Sequence, residues 1–168
     1  SLYKAPKDID RISKETRLKR DTVRVLVWKL RSYGLVTVRG GLVSLSPTHT
    51  VLSRFLDGFS DGVNEMIMNG KVKDGVMAWN GGLEFLFTSR SKEVPAGTSL
   101  TGASAMAIHG IELITINRYF HCSHWDEMLG AEEMAVHNLL IGTYSARSIG
   151  HSMLLLKKAG YDRTHLLK

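Results

Sequence analysis

Residues 6–45, PKDIDRISKETRLKRDTVRVLVWKLRSYGLVTVRGGLVSL, contain the pattern that decides the fold. Ile9 and Ile12 give a first short helix its apolar stripe, and a basic turn follows. The second helix has its own apolar stripe, formed by Val23, Leu26, Val27 and Leu30. Gly34 is suited to end this helix, and Arg39-Gly40-Gly41 is typical of a hairpin turn. Two helices followed by a hairpin predict a winged helix-turn-helix, whose second helix enters the major groove of DNA.

Two apolar side chains in this segment carry more specific expectations. Leu18, in the turn Arg17–Lys19, is expected to be the buried plug of that turn. Trp28 lies opposite the apolar stripe, where it either contacts DNA sugars and thymine methyl groups or packs on another element. We expect packing, because buried aromatic side chains are far more common than base-contacting ones.

The positive charge of the chain is concentrated in the same segment. Residues 1–54 contain 12 basic and 4 acidic residues, a net charge of +8, whereas the other 114 residues have a net charge of −2. A concentration of positive charge favours binding to the polyanionic DNA backbone, because binding releases counterions from the DNA. The alternative is an ordinary solvated basic face, but the charge coincides with the helix-turn-helix pattern and therefore favours nucleic-acid binding.

Six polar side chains are the predicted DNA contacts. Five belong to the second helix or to the turn before it, and the sixth is at the hairpin tip. They are Lys19, Arg20, Thr22, Arg24, Lys29 and Arg39. The N-terminal end of such a helix usually reaches the base edges, and a hairpin tip can touch a phosphate or enter the minor groove.

The stretch DIDRISKETRLKRDTVRVLVWKLRSYGLVTVRGGLVSLS resembles the winged-helix domains of bacterial and archaeal transcriptional regulators. The matching residues are Ile9, Ile12, Thr16, Leu18, Thr22, Val23, Leu30, Gly34, Leu35 and Val36. The resemblance covers about a quarter of the chain and implies DNA binding without implying a target sequence. It departs in one respect, since such domains usually have a full helix before this one. The chain also begins with Ser, so we expect it to be processed or truncated.

The rest of the chain predicts an α+β fold: the N-terminal winged helix-turn-helix is followed by a small mixed sheet with C-terminal helices. We expect a DNA-binding domain at residues 1–48, a connecting helix at 49–70 and a sensor, dimerisation or partner-binding domain at 71–168. Asn69–Gly75 is the best candidate for a linker or loop. The expected elements after it are a hairpin around Asn80-Gly81-Gly82, a small-residue helix ending at His109-Gly110 and a β-rich run at Glu112–Cys122. Helices are then expected at Glu132–Ile141, Ala146–Ala159 and Asp162–Leu167.

This second half resembles the C-terminal region of the abortive-infection type IV antitoxin family in the segments TGASAMAIHGI, AEEMAVHNLL and SARSIGHSMLLLKKAGYD. The residues that carry the resemblance are Gly102, Ser104, Ala105, His109 and Gly110. The resemblance implies a repressor of its own operon, with a nucleotidyltransferase-like toxin as its protein partner.

Enzymatic and metal chemistry have weaker signals. His121, Cys122, His124 and His137 are ligand types, but their spacing is not that of a known metal site. Neither a phosphate-binding P-loop nor a dinucleotide-binding glycine pattern occurs in the sequence. We therefore expect a protein that is not an enzyme, with no catalytic residues, no metal and no cofactor.

Global properties complete the expectations. One cysteine in 168 residues excludes an intrachain disulfide and favours a cytoplasmic protein, and no apolar run reaches the length of a membrane span. The expected partners are double-stranded DNA, a second copy of the chain and a toxin-like protein. The main hypothesis is a sequence-specific transcriptional regulator that acts as a repressor. The alternatives are a protein-interaction module that uses the winged helix, or a metal-dependent or nucleotide-acting enzyme.

Overall fold

A computed structural model describes residues 5–82, 84–123 and 129–160. The chain divides into two compact units, residues 1–62 and residues 63–168. Helices and antiparallel strands occur in both, so the expected mixed α+β class is confirmed.

The first unit contains two helices and a hairpin: α1 (Ile9–Thr16), α2 (Arg20–Ser32), β1 (Val36–Arg39) and β2 (Leu42–Leu45). Asp8 caps α1, since its carboxylate accepts a hydrogen bond from the backbone N–H of Arg11 at 2.7 Å. The helices and the hairpin share one apolar core, formed by Ile12, Val23, Val27, Val36 and Val43. The i, i+4 spacing of Val23 and Val27 thus places one face of α2 inward.

Glycines end α2 and turn the hairpin. Gly34 has φ of 71°, and the N–H of the following Leu35 donates to the Leu30 carbonyl at 2.9 Å, which completes a Schellman-type helix end. Gly40 and Gly41 have φ of 56° and 80°, so both central residues of the two-residue turn use the left-handed region that glycine tolerates. The predicted helix end and hairpin turn are confirmed.

The helix α3 (Thr50–Lys71) follows the hairpin, and the division between the two units falls within it, after Gly62. The segment that we expected to be a linker, Asn69–Gly75, instead begins with the last turn of this helix. The buried side chains of Met68 and Val72 explain the extension, because both pack in the core of the second unit.

The second unit is built on a four-stranded antiparallel sheet in the order β3-β4-β6-β5. Its strands are β3 (Val76–Asn80), β4 (Glu84–Ser89), β5 (Ser99–Leu100) and β6 (Arg118–Ser123). The expected hairpin around Asn80-Gly81-Gly82 is confirmed in β3 and β4. One core cluster on the sheet contains Met68, Val72, Phe85, Phe87, Phe120 and Cys122.

A second core joins the sheet to three helices: the 3₁₀ helix η1 (Gly102–His109), α4 (Ala131–Ile141) and α5 (Ala146–Ala159). Ala105, Met106, Ile111, Met134, Ala135 and Leu155 form this core. Asn138 ties α4 to α5, because its side-chain amide donates to the Ser148 carbonyl at 2.9 Å and to Ser152 Oγ at 3.0 Å. The expected C-terminal helices are confirmed for α4 and α5, whereas Asp162–Leu167 lies outside the described residues.

Three side-chain expectations for the first unit are wrong. The side chain of Leu18 is 41% exposed, because Ser13 rather than an apolar plug closes the turn, with its hydroxyl donating to the Leu18 carbonyl at 2.6 Å. Leu26 belongs to the predicted apolar stripe but is 43% exposed, since it lies at the edge of the face that Val23 and Val27 bury. Trp28 is 68% exposed, so it does not pack as expected.

The β-rich run that we expected at Glu112–Cys122 is shorter in the structure. Only Arg118–Ser123 is a strand, because β4 offers pairing partners to these six residues alone. The expected small-residue helix is present as η1, a 3₁₀ helix that ends at Gly110, whose φ is 68°.

Candidate nucleic-acid interface

The helix α2 has one buried face and one exposed face. Successive residues turn by about 100°, so Val25 and Trp28 lie nearly opposite the buried Val23 and Val27. Val25 is 53% exposed and Trp28 is 68% exposed. The centre of the exposed face therefore contains two large apolar side chains together with the exposed carboxylate of Asp21.

Basic side chains lie along both edges of this exposed face. Arg20, Arg24 and Arg31 are spaced by four and seven residues and share one edge. Lys29 lies on the opposite edge, seven residues after Thr22. All five side chains are exposed. The helix thus presents a strip of Asp21, Val25 and Trp28 between an edge of three arginines and an edge that carries Lys29.

The other predicted contacts lie at the two ends of this region. Lys19 is the residue that precedes the first turn of α2, and its side chain is exposed. Arg39 is exposed at the end of β1, next to the glycine turn of the hairpin. All six predicted DNA contacts are therefore on the surface of the first unit.

Two of the predicted contacts form exposed ion pairs. Arg20 Nε lies 2.7 Å from Asp10 Oδ1 of α1, and an Arg24 nitrogen lies 3.3 Å from Asp21 Oδ1. Exposed pairs of this kind contribute about 0–1 kcal/mol. A phosphate group can therefore replace either carboxylate at little cost in free energy.

The scaffold behind α2 is held by Lys7, whose role the sequence pattern did not indicate. Its backbone pairs with Val43 of β2 in both directions, at 2.8 and 2.9 Å. Its ammonium group lies 2.5 Å from the carboxylate of Glu15 in α1. Burial raises the pKa of Glu15, but hydrogen bonds from Lys7 and Arg11 lower it overall. Lys7 thus links the hairpin to α1, and it is buried rather than part of the basic surface.

Arg31 is the surface residue that the sequence reasoning missed. It follows Arg24 by seven residues, a spacing that places both side chains on the same edge of α2. The helical phase alone could have identified it.

Among the described residues, His121, Cys122 and His137 do not come together as the metal site considered from the sequence. The rings of His121 and His137 are 4.8 Å apart, but Cys122 belongs to an apolar core cluster with Phe85, Phe87 and Phe120. Adjacent strand residues point to opposite faces, which separates Cys122 from His121. His124 lies outside the described residues, and those that are described contain no group of three metal-ligating side chains.

Hydrogen bonds and burial instead explain the histidine pair as a structural cluster. His137 Nδ1 lies 2.7 Å from Thr101 Oγ1, and His121 Nε2 lies 3.3 Å from a carboxylate oxygen of Glu84. Burial lowers the pKa of His137 to about 4, with the neighbouring His121 acting in the same direction. His137 is therefore neutral at pH 7.

Ser104 also has a structural role. Its hydroxyl accepts a hydrogen bond from the backbone N–H of Tyr119 at 2.9 Å, which joins η1 to β6. This contact accounts for the polar residue that the sequence places in a small-residue helix.

The second unit contains a cleft of about 450 Å³ between α4, α5 and the irregular segment 112–115. Its polar lining includes Arg147, Ser148 and His151 of α5, with Glu112 across the cleft. The volume is within the range of small-molecule sites, and the cleft is separate from the basic surface of α2.

Comparisons with known proteins do not assign this chain to a family. No protein-family model matches the sequence, and no curated protein or solved structure matches the chain at a significant level. Among the described residues, none of the helices has the length and apolar character needed to cross a membrane.

Proposed function

We propose that this protein is a sequence-specific DNA-binding transcriptional regulator and that its first unit acts as a winged helix-turn-helix. The observation that carries the proposal is the exposed face of α2, where Val25 and Trp28 lie between three arginines on one edge and Lys29 on the other. The one acidic residue of this strip, Asp21, is paired with Arg24. An α-helix with side chains is about 10–12 Å across, and the DNA major groove is about 12 Å wide. A helix lying in the groove has a phosphate strand on each side.

The edges and the centre of α2 then have different roles. Arg20, Arg24 and Arg31 contact one phosphate strand, and Lys29 contacts the other. Val25 and Trp28 face the base edges, where thymine methyl groups accept apolar contact. This assignment gives the exposure of Trp28 a physical reason, because its ring becomes buried only when DNA is bound.

The hairpin supplies a second contact. Arg39 is at its exposed end, and the backbone pairing of Lys7 with Val43 fixes the hairpin to the segment that precedes α1. A fixed arginine beside the recognition helix can reach a phosphate or the adjacent minor groove. The proposed interface therefore consists of Lys19, Arg20, Thr22, Arg24, Lys29, Arg31 and Arg39.

The repressor role and the toxin-like partner rest on the resemblance of the second half to the type IV antitoxin family. They belong to the proposal on that basis, as does a cytoplasmic location, where chromosomal operators of bacteria and archaea are found. The cleft of the second unit offers a place for an effector in a regulator of this kind.

The proposal is tested by fluorescence anisotropy with a labelled random-sequence 30-base-pair duplex, titrated from 50 to 200 mM salt. Four to six phosphate contacts predict a slope of log K against log salt of roughly −4 to −5. Micromolar affinity with this slope is expected. The proposal fails if the protein does not bind at the lowest salt concentration.

A protein-interaction module is the second candidate, and the exposure of Trp28 and Tyr33 favours it. These side chains are 68% and 75% exposed, and large aromatic residues are enriched at protein interfaces. Such a module would bind a protein with little dependence on salt and would ignore duplex DNA. The same anisotropy experiment therefore distinguishes the two functions.

A further inference from the structure

The first three turns of α3 expose an apolar face that nothing in the first unit covers. Val51 is 80% exposed, Phe55 is 62% exposed and Phe59 is 60% exposed. The two phenylalanine rings stack on each other with centroids 6.0 Å apart. None of the apolar clusters among the described residues includes a side chain from this part of the helix. Exposed apolar surface of this size on one helix face marks an interaction site.

Two glycines lie on the same face. With about 100° per residue, Val51, Phe55, Gly58, Phe59 and Gly62 all fall within about 100° of the helix circumference. A Cβ atom at Gly58 or Gly62 would meet nothing within 4 Å, so each glycine leaves an open gap beside a phenylalanine. Glycine is a poor helix former, and α3 contains three of them, so the two on the apolar face call for a packing reason.

We infer that this face binds the same face of a second copy of the chain, with the two α3 helices antiparallel. A two-fold axis at the level of Gly58 and Phe59 sets Phe55, near the centre of the face, opposite Gly62 of the second copy. The same register brings the Phe59 rings of the two copies together along one edge of the face. Each Phe55 side chain then enters the gap at a glycine, which is the self-complementarity that a two-fold interface requires.

Charge supports the antiparallel arrangement. Arg54 and Asp61 are both exposed and lie on the same edge of the apolar face. In the antiparallel register Arg54 of each copy comes beside Asp61 of the other copy, which gives two opposite-charge pairs. In a parallel two-fold arrangement the same edge of each helix lies on opposite sides of the interface, so Arg54 of one copy would not come beside Asp61 of the other.

The size of the face predicts a weak dimer. A phenylalanine side chain buries 150–250 Å² when covered, so the exposed parts of the four rings contribute roughly 500 Å². Val51 and the helix backbone at the glycines add to this, which brings the total near the lower limit of about 1,000 Å² for specific interfaces. We therefore expect a dissociation constant in the micromolar range, independent of DNA binding.

The test is sedimentation velocity of the full chain between 5 and 200 μM. The parent is expected to shift from monomer to dimer over this range. Gly62→Leu fills the gap that receives Phe55 and is expected to raise the dissociation constant at least tenfold. The variant keeps its fold, because its new side chain meets open space in the monomer and leucine is a better helix former than glycine. Gly70→Leu, on the same helix at another open position, is the matched control and leaves the constant unchanged.

Two outcomes overturn the inference. A parent that stays monomeric at 200 μM means that another partner covers this face. A Gly62→Leu variant that associates as tightly as the parent, or more tightly, means that the contact is non-specific and does not use the proposed register. The register has its own test: Arg54→Glu weakens the dimer and adding Asp61→Arg restores it, whereas no restoration refutes the antiparallel pairing.

Discussion

Neutralising two basic residues at the start of α2 provides a quantitative test of the DNA-binding surface. In the double variant Lys19→Gln/Arg20→Gln, both side chains are exposed, so their replacement leaves the core of Ile12, Val23 and Val27 intact. Arg20 also loses its 2.7 Å pair with Asp10, an exposed pair that contributes no more than about 1 kcal/mol. The variant is therefore expected to fold like the parent.

The expected change concerns salt dependence. Each lost phosphate contact reduces the slope of log K against log salt by about 0.9, so two lost contacts reduce it by roughly 1.8. Raising the salt concentration from 50 to 200 mM weakens DNA binding by both proteins. The fold-decrease in affinity should be about 12 times smaller for the variant than for the parent. Anisotropy titrations with the same labelled duplex at four salt concentrations measure both slopes.

The matched control is Lys73→Gln/Arg90→Gln, which removes two exposed positive charges from the second unit. It changes the net charge of the chain by the same amount but leaves α2 untouched. We expect its slope to equal that of the parent. A control that flattens the slope as much as Lys19→Gln/Arg20→Gln does, or a double variant with an unchanged slope, would refute the placement of the phosphate contacts.

Three further predictions concern stability. Burial lowers the pKa of His137 to about 4, so between pH 6.5 and 4 the unfolded chain takes up a proton that the folded chain refuses. The free energy of unfolding, followed by thermal unfolding, should therefore decrease by up to about 3 kcal/mol as the pH drops through this window. The variant His137→Gln should lose most of this pH dependence, whereas the control His151→Gln should keep it. Gly34→Ala places a side chain at a φ of 71° and should lower the free energy of unfolding in urea by about 1 kcal/mol. Gly70→Ala, within a helix, should raise it by a similar amount. Equal effects of the two substitutions would contradict the assigned backbone conformations. Phe87→Ala leaves a cavity in the core beside Phe120 and should lower the free energy of unfolding in urea by about 3–5 kcal/mol. A decrease of less than 1 kcal/mol would contradict the packing of Phe87 against Phe120.

The elements of the first unit were predictable because local signals specify them. The spacing of Val23 and Val27 determines which face of α2 is inward, and Gly34, Gly40 and Gly41 supply backbone conformations that few other residues adopt. The link made by Lys7 was not predictable, since the pairing of its backbone with Val43 joins residues 36 positions apart. No periodicity signals such a contact.

Side-chain exposure was harder to predict than helix position. Leu18 was expected inside because apolar residues in turns often plug a core, but a hydrogen bond from Ser13 closes this turn instead. Trp28 was expected to pack because aromatic residues usually do, and no local signal shows whether a neighbouring element reaches it. In the second unit, the pairing length of β4 limits β6 to Arg118–Ser123, and that limit comes from a strand distant in sequence.

The candidate site was predictable in part, because it depends on local properties of the sequence. The six predicted DNA contacts are all on the surface of the first unit, because charged residues are rarely buried and helical phase is a local property. Arg31 could have been added from the phase alone. The separation of His121 from Cys122 follows from strand alternation and could have been predicted, because the β-rich run expected at Glu112–Cys122 already contained both residues.

Backbone amide chemical shifts of the labelled protein, recorded during titration with duplex DNA at 150 mM salt, would show which residues contact DNA. We expect the perturbed amides to lie mainly in residues 19–32 and 39–41, with the indole N–H of Trp28 shifting and residues 131–159 unaffected. Perturbations confined to the second unit, or no perturbation at a tenfold excess of DNA, would contradict DNA binding by the exposed face of α2.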